Sequence, residues 1–247
     1  MKREKLNIIT LTEVDSTNNY ANRLISEGSA ENGSVVVSHY QKSGRGQRGN
    51  SWESAPGKNL LASIIVFPQF LPAAQQFYLS KIISLTIYDW LSTHVQDVSI
   101  KWPNDIFVGK KKIAGILIEN SILGSRIHSA VIGFGINLNQ VKFSPEHPNA
   151  VSLKLLTKNN FNIQDTVVQL HSIFMNWLGK LESGLLEEIN RAYHRDLFRR
   201  NEWALYWKDD NLFEARILGT GEFGQLILED RDGRLSEYMF KEVEFVI

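Results

Sequence analysis

"VSIKWPNDIFVGKKKIAGILIEN", residues 98–120, and "RIHSAVIGFGINLN", residues 126–139, are the two stretches that decide the fold of this chain. Both are rich in apolar and β-branched residues, and Gly109 and Gly124 stand where the chain would turn. The pattern predicts three or four strands that are joined by tight turns.

The first stretch also carries two features that point to chemistry. Pro103 blocks a regular strand, so we expect Asn104 and Asp105 at a turn where their side chains are free. The lysines at 110–112 crowd a hairpin turn, and such a run is typical of a solvated loop tip. Lys112, however, begins the alternating pattern "KIAGILIE", so the strand register fixes its direction and could aim it into a cleft.

In the second stretch, Gly133 and Gly135 lie inside an otherwise apolar strand. Glycines in a strand mark a close approach by a ligand or by another part of the chain. Close packing of a helix against the sheet is the alternative explanation. Asn137, at the end of this strand, is a candidate polar contact.

Outward from these stretches, strands alternate with helices. Short β-branched runs predict strands at residues 6–11, 34–40 and 59–67. Helical spacing of apolar residues predicts helices within residues 16–28, 73–95 and 163–198. Asp15 or Ser16 could cap the first helix, and Gly28 could end it. Together these elements indicate an α+β fold with a mixed β-sheet that is flanked by helices.

The pattern changes after Arg200. "WALYW", "FEARILGTG" and "QLILEDRDG" are short strands that are separated by glycine and aspartate turns. Such a pattern predicts a small β-barrel of roughly 50 residues. We therefore expect a larger domain at residues 1–199 and a smaller one at residues 200–247.

Composition excludes several classes of function. The chain has 27 basic and 27 acidic residues, whereas proteins that bind bulk nucleic acid or anionic membranes usually carry excess positive charge. There is no cysteine to form a disulfide or a thiol nucleophile, and the six histidines lack the spacing of a metal site. The N-terminus lacks the apolar run of a signal peptide, which leads us to expect a cytoplasmic protein.

"SGRGQRGNSW", residues 43–52, is rich in both glycine and arginine. Successive backbone N–H groups at its glycines could turn toward one point and bind an anion, with Arg45 and Arg48 adding forked donors. A flexible, solvated basic loop is the alternative. The pattern lacks the Lys-Ser/Thr pair of a Walker loop. Trp52 could cover a ligand or belong to the core.

With these features in view, the chain resembles the biotin–protein ligases. Five segments carry the resemblance, in that family's order: "DSTNNYA" (15–21), "QKSGRGQRGNSW" (41–52), "KWPNDI" (101–106), "KKIAGILIE" (111–119) and "GFGINLN" (133–139). The resemblance implies a catalytic domain like those of class II aminoacyl-tRNA synthetases and biotin ligases, followed by an SH3-like β-barrel.

The resemblance implies a two-step reaction. The biotin carboxylate attacks the α-phosphate of ATP to give biotinyl-5′-AMP and pyrophosphate, with Mg²⁺ on the phosphates. A lysine of a biotin carboxyl carrier protein, part of a biotin-dependent carboxylase, then takes the biotin and releases AMP. The acceptor would dock at a sheet edge, which could equally form a homodimer, and the sequence does not decide between them.

The resemblance also implies roles for individual residues. Lys112 and Arg45 would be catalytic, because they place positive charge where the carboxylate meets the phosphate. The biotin-binding set would be Ser16, Thr17, Asn18, Gln41, Gly44, Arg45, Lys112, Gly115, Gly133 and Gly135. The set that binds ATP or the adenylate would be Arg45, Gly46, Gln47, Arg48, Gly49, Trp52, Asn104, Lys112 and Asn137, and Asp105 would help to hold Mg²⁺.

The chain departs from the family pattern at two places. Well-known members carry further arginines where this chain has Gln47 and Asn50, so its loop is less cationic. Only about a dozen residues precede "EVDSTNN", whereas bifunctional members carry a helix-turn-helix domain there, so we expect ligation without repression. Two alternatives remain open: a lipoate– or octanoate–protein ligase of the same fold, and a non-catalytic module that binds biotin.

Overall fold

The computed structural model describes residues 6–246, apart from the side chain of Arg48. The first seven strands are β1 (Ile8–Leu11), β2 (Val35–Ser38), β3 (Leu60–Val66), β4 (Val98–Lys101), β5 (Asp105–Val108), β6 (Lys111–Leu123) and β7 (Arg126–Ile136). The helices are α1 (Thr17–Ser26), α2 (Phe77–Ser92), α3 (Leu153–Thr157), α4 (Ile163–Glu182) and α5 (Leu186–Arg195).

The seven strands form one sheet in the order β1-β2-β3-β7-β6-β5-β4. Strands β1 and β2 are parallel, and every other neighbouring pair is antiparallel. Gly109 and Gly124 turn the two hairpins that include β6, with φ angles of 58° and 62° that favour glycine. The predicted α+β fold with a mixed sheet is confirmed.

Helices cover both faces of the sheet because its central strands are apolar on both faces. Val35 and Val37 of β2 point into the core that contains α2, α4 and α5. Val36, between them, points to the opposite face, where it packs with Ala21 of α1. The strand period of two places neighbouring residues on opposite sides. Helix α1 thus packs against this second face, and the amide of its Asn18 donates to the carbonyl of Leu117 in the sheet.

The helices predicted within residues 73–95 and 163–198 are confirmed as α2, α4 and α5. Gly184, with a φ of 74°, lies between α4 and α5, and a short 3-10 turn at Ala73–Gln75 precedes α2. Neither expected cap serves α1: Ser16 makes no side-chain cap bond, and Asp15 accepts from the side chain of Asn19 instead. Helix α3, which Ser152 caps, was not predicted.

The C-terminal part of the chain forms a second, antiparallel sheet. Its strands are β8 (Trp203–Lys208), β9 (Asn211–Thr220), β10 (Leu226–Asp230), β11 (Leu235–Tyr238) and β12 (Glu244–Phe245), in the order β11-β10-β9-β8-β12. This five-stranded unit confirms the predicted SH3-like module. The indole Nε1 of Trp102 donates to the carbonyl of Gly224 at 2.8 Å, which ties the first sheet to the second. The boundary at residues 199–200 stays a prediction.

A buried lysine lies among the helices behind the first sheet. Lys81 of α2 is 4% exposed, and its Nζ donates to Asn190 Oδ1 at 2.6 Å. The ammonium also lies 4.9–5.6 Å from the ring centres of Phe77, Tyr78 and Tyr193. Burial lowers the pKa of Lys81 to about 8, because the charged form loses its hydration.

No helix in residues 6–246 has the length and apolar character needed to cross a membrane.

Lys81 should make stability depend on alkaline pH. Its pKa falls from 10.5 to about 8 on folding, so between those pH values the folded state binds fewer protons than the unfolded state. The free energy of unfolding therefore rises with pH in this window, by up to about 3 kcal/mol relative to a Lys81→Met variant. Urea unfolding of both proteins across this window measures the difference. Exposed Lys110→Met is the control, and parallel curves for wild type and Lys81→Met would contradict the prediction.

Candidate active site

A cavity of about 370 Å³ opens where the glycine-rich loop of residues 43–52 meets strands β6 and β7. Fourteen of the residues predicted from the sequence line it: Ser16, Thr17, Asn18, Gln41, Arg45, Gly46, Gln47, Trp52, Asn104, Asp105, Lys112, Gly115, Gly133 and Gly135. Segments that are far apart in sequence thus meet at one place. The ligands that these residues bind, and their individual roles, stay predictions.

Three other predicted residues are not among those that line the cavity. Gly44 packs closely against the backbone of Trp52, since a Cβ there would lie 2.3 Å from the carbonyl oxygen of Trp52. Gly49 is exposed at the loop tip. Asn137 is buried, and its backbone N–H donates to the carbonyl of Ile113. The side chain of Arg48 lies outside the described part of the chain.

One end of the cavity carries a connected set of neutral polar groups. The backbone N–H and the hydroxyl of Thr17 both donate to Gln41 Oε1, at 2.7 and 3.1 Å. The hydroxyl of Ser63 lies 2.8 Å from Thr17 Oγ1 and 2.7 Å from Asn18 Oδ1. These bonds fix the direction of each group, and they suit a neutral ligand that both donates and accepts hydrogen bonds.

The glycines of β6 and β7 let large side chains lie directly on the sheet. A Cβ on Gly115 or Gly135 would come within 2.8 and 2.5 Å of the Trp52 ring. A Cβ on Gly133 would lie 2.1 Å from Asn18 Oδ1. In this structure the space above these glycines therefore holds the indole and the amide. Both explanations of the strand glycines meet here, since the glycines pack closely and also line the cavity.

Lys112 stands on the wall beside the indole. Its backbone N–H donates to Asn149 O at 2.8 Å, and its carbonyl accepts from Val151 N at 2.9 Å. Its Nζ lies 2.7 Å from Asp105 Oδ1 and 5.6 Å from the centre of the Trp52 ring. The backbone bonds fix the point from which the side chain extends, and the pairing with Asp105 places the ammonium in the cavity wall.

Asn104 and Asp105 lie at the predicted turn, but the expectation that their side chains are free is wrong. The amide of Asn104 donates to the carbonyl of Ile116 at 2.9 Å, while Asp105 pairs with Lys112. The carbonyl of Asn104 also accepts from the N–H of Ile116 at 2.9 Å. These bonds attach the turn to β6 and therefore fix its position in the cavity wall.

Sequence reasoning missed several lining groups. Lys101 lies in the wall with its Nζ 4.5 Å from the centre of the Phe245 ring. Burial lowers the pKa of Lys101, the Lys112 ammonium adds to this effect, and Asp105 opposes it. Residues 240–245 of the second sheet also contribute lining groups. Lys101 opens the segment "KWPNDI" and was a visible signal. Ser63, a polar residue within the apolar run "LLASIIV", was another; it is fully buried and bonds to the lining residues Thr17 and Asn18.

The glycine-rich loop lies across the cavity with its polar groups already engaged. Arg45 Nη1 donates to Asn19 Oδ1 at 2.6 Å, and its Nη2 pairs with the carboxylate of Glu119. The N–H of Gly46 donates to Asn50 O at 2.6 Å, so it is not turned outward as the predicted anion-binding nest requires. An anion that uses this amide must first release it.

The site as a whole combines cationic and neutral polar walls. Arg45, Lys101 and Lys112 line one cavity in a chain whose formal net charge is +0. A cavity of this kind suits a ligand with an anionic part and a neutral polar part. Among residues 6–246, no group of three or more histidine, cysteine, aspartate or glutamate side chains could hold a metal ion by itself.

Comparison with known proteins gives a consistent result. The model of the "Biotin/lipoate A/B protein ligase family" matches residues 11–137. A biotin--[acetyl-CoA-carboxylase] ligase from Paracoccus denitrificans is 29% identical over 91% of this chain and 95% of its own length. The bifunctional ligase/repressor BirA from Salmonella typhimurium is 38% identical over 53% of this chain, and the match spans 41% of that protein.

Solved structures agree with this result at the level of the fold. The biotin protein ligase from Aquifex aeolicus, in complex with biotin and ATP, has a TM-score of 0.81 at 24% identity, over 97% of this chain and 99% of that one. The resemblance that the five sequence segments suggested is confirmed. Because the family model matches just over half of the chain, this protein belongs to the biotin/lipoate A/B protein ligase family.

Proposed function

We propose that this protein is an ATP-dependent biotin–protein ligase, which makes biotinyl-5′-AMP and transfers the biotin to a lysine of a carrier protein. One observation carries the proposal: the ammonium of Lys112 shares a cavity with Thr17, Asn18 and Gln41. The polar groups of these three residues are connected by hydrogen bonds, in part through the buried hydroxyl of Ser63. These polar groups suit the ureido ring of biotin, which donates and accepts hydrogen bonds. The ammonium suits the carboxylate at the other end.

In the first step a carboxylate oxygen of biotin attacks the α-phosphorus of ATP. The bond from that phosphorus to the bridging oxygen breaks, and pyrophosphate leaves with the electron pair. Two anions must meet, and unit charges about 4 Å apart interact by about 4 kcal/mol at an effective dielectric near 20. Lys112 would offset this repulsion and stabilise the charge that develops on the phosphate. Its paired backbone fixes the point from which the side chain extends.

The residues present fit a magnesium ion that is held mainly by substrate. Mg²⁺ at nucleotide sites usually takes one or two carboxylates together with phosphate oxygens and water. Asp105 is one of the carboxylate residues that line the cavity, and its pairing with Lys112 places it beside the proposed reaction centre. The ion would supply positive charge to the phosphates. Asp105 would hold it, and Asn104 would keep the turn in position.

In the second step the amine of an acceptor lysine attacks the acyl carbon of the adenylate, and AMP leaves. The acceptor would be a biotin carboxyl carrier protein, since the Paracoccus denitrificans relative is named as a ligase for acetyl-CoA carboxylase. An exposed sheet edge would serve either this acceptor or a second copy of the chain. We also propose a cytoplasmic location, as expected from the N-terminal sequence.

The two alternatives fit the cavity less well. Apart from its carboxylate, octanoate has no polar group to bond with Thr17 and Gln41, and at the end away from its carboxylate lipoate has only a disulfide ring. A module that only binds biotin has no use for an ammonium and a carboxylate paired in the wall. Thermal-shift measurements with biotin and with lipoate separate the first alternative, and biotin-dependent release of pyrophosphate from ATP separates the second.

Lys112→Ala should remove the charge that the first step requires. We expect the rate of biotin-dependent pyrophosphate release to fall by about 10² to 10³-fold, as for loss of a group that stabilises transition-state charge. Lys110→Ala, in the exposed turn beside it, is the matched control and should retain the wild-type rate. An undiminished rate in a folded Lys112→Ala protein would refute the proposed mechanism.

Gln47→Arg should slow the escape of the adenylate. Gln47 lines the cavity, so an arginine there adds a cation near the phosphate. We expect the escape rate to fall roughly two- to fivefold, the range for a partly exposed charge pair. Chasing labelled biotinyl-adenylate from the enzyme measures this rate. Gln96→Arg, on an exposed turn, controls for added charge, and equal rates in both variants would count against the idea.

A further inference from the structure

Glu119 contacts residues of the candidate site, but the proposed reaction gives its carboxylate no role. Glu119 is on β6, opposite Val131 of β7, and its side chain is 28% exposed. Three side chains from other elements donate to it: Arg45 through Nη2, Asn18 through Nδ2 at 2.9 Å and Asn22 through Nδ2 at 3.3 Å. A single carboxylate thus connects the loop, helix α1 and the central sheet.

Arg45 is the member of this group that carries charge. Its second hydrogen bond goes to Asn19 of α1, so its guanidinium bridges the helix and β6. Among the described side chains of residues 44–51, it is the one that donates a hydrogen bond to another element. The remaining described bonds of this segment are backbone bonds, such as that from Trp52 N to Gly44 O at 2.9 Å.

The pairing leaves Arg45 able to bind a ligand as well. A guanidinium has five N–H donors in a fixed fork, and the two partners named here use two of them. Arg45 lines the cavity while it is held at its rim. A carboxylate that fixes one edge of the fork orients the other edge, as supporting groups do at binding sites.

Glu119 also reaches the polar end of the cavity. The amide of Asn18, whose nitrogen donates to Glu119, accepts from Ser63 through its oxygen at 2.7 Å. That oxygen stands above Gly133. The same carboxylate therefore supports the group proposed to meet the ureido ring and the arginine proposed to meet the phosphate.

We propose that Glu119 is a positioning residue, which holds Arg45 at the rim of the cavity and so keeps the glycine-rich loop closed over the bound adenylate. The proposal rests on the ligase function given above and adds a residue to it. Glu119 touches no reacting atom and acts through Arg45. A closed loop limits water access to the mixed anhydride and slows its escape.

A double-mutant cycle tests this with Glu119→Gln, Arg45→Gln and the double variant. Glutamine keeps the shape and an acceptor oxygen but removes the charge. We expect Glu119→Gln to speed escape of the adenylate roughly two- to fivefold. The double variant should behave like Arg45→Gln alone, because both changes break the same contact. Glu182→Gln, exposed at the end of α4, should leave the escape rate unchanged.

Hydrogen exchange of the loop amides in ligand-free protein provides the second readout. The N–H groups of Gly46 and Trp52 should exchange faster in Glu119→Gln, with no further increase in the double variant. Additive effects would mean that Glu119 acts through Asn18 instead, and unchanged exchange would mean that it does not hold the loop. Either result overturns the proposal. Failure of the proposed function would differ, since the wild type would then form no biotinyl-adenylate.

Discussion

The whole site depends on bare backbone at the centre of the sheet. Gly115 and Gly135 are direct cross-strand partners, and the ring of Trp52 lies on both of them. Two residues away on β7, Gly133 receives the amide of Asn18. Any side chain at these three positions would come within 3 Å of an atom that is already there. Because the indole belongs to the loop and the amide to α1, this contact sets where both stand relative to the sheet.

Charge is the second constraint. A chain without net charge gathers Arg45, Lys101 and Lys112 around one cavity, and the fold has to hold these cations apart. Asp105 partly neutralises Lys112, and Glu119 partly neutralises Arg45. Each carboxylate projects from a strand that is paired within the sheet. The pairing with Glu119 still leaves further N–H donors of Arg45 for an anion, so the protein's own carboxylate orients a cation that a ligand can also bind.

Much of this arrangement could be predicted from the sequence, for identifiable reasons. Hairpin signals placed Lys112 at the start of β6, but plain strand alternation does not decide its direction, because the pairing of β5 with β6 shifts register between Ile106 and Phe107, next to Lys112. Other features depend on distant contacts. The use of Ser63 as a donor, the contact of Lys101 with an aromatic ring from the second sheet, and the pairing of the Gly46 amide arise only once remote segments meet.

The link between Trp102 and Gly224 has a consequence for how such proteins diverge. Trp102 belongs to the turn that carries Asp105, while Gly224 belongs to the small C-terminal unit, where a Cβ would also meet the ring of Phe77 at 2.5 Å. Replacing Trp102 would remove the donor of this bond, and a side chain at Gly224 would collide with Phe77, so either change would disturb the junction beside the cavity that Trp102 lines. The C-terminal unit therefore cannot be exchanged freely for that of a homologue, because the residues on the two sides of this interface would no longer fit. Substitutions on one side are expected to be accompanied by substitutions on the other.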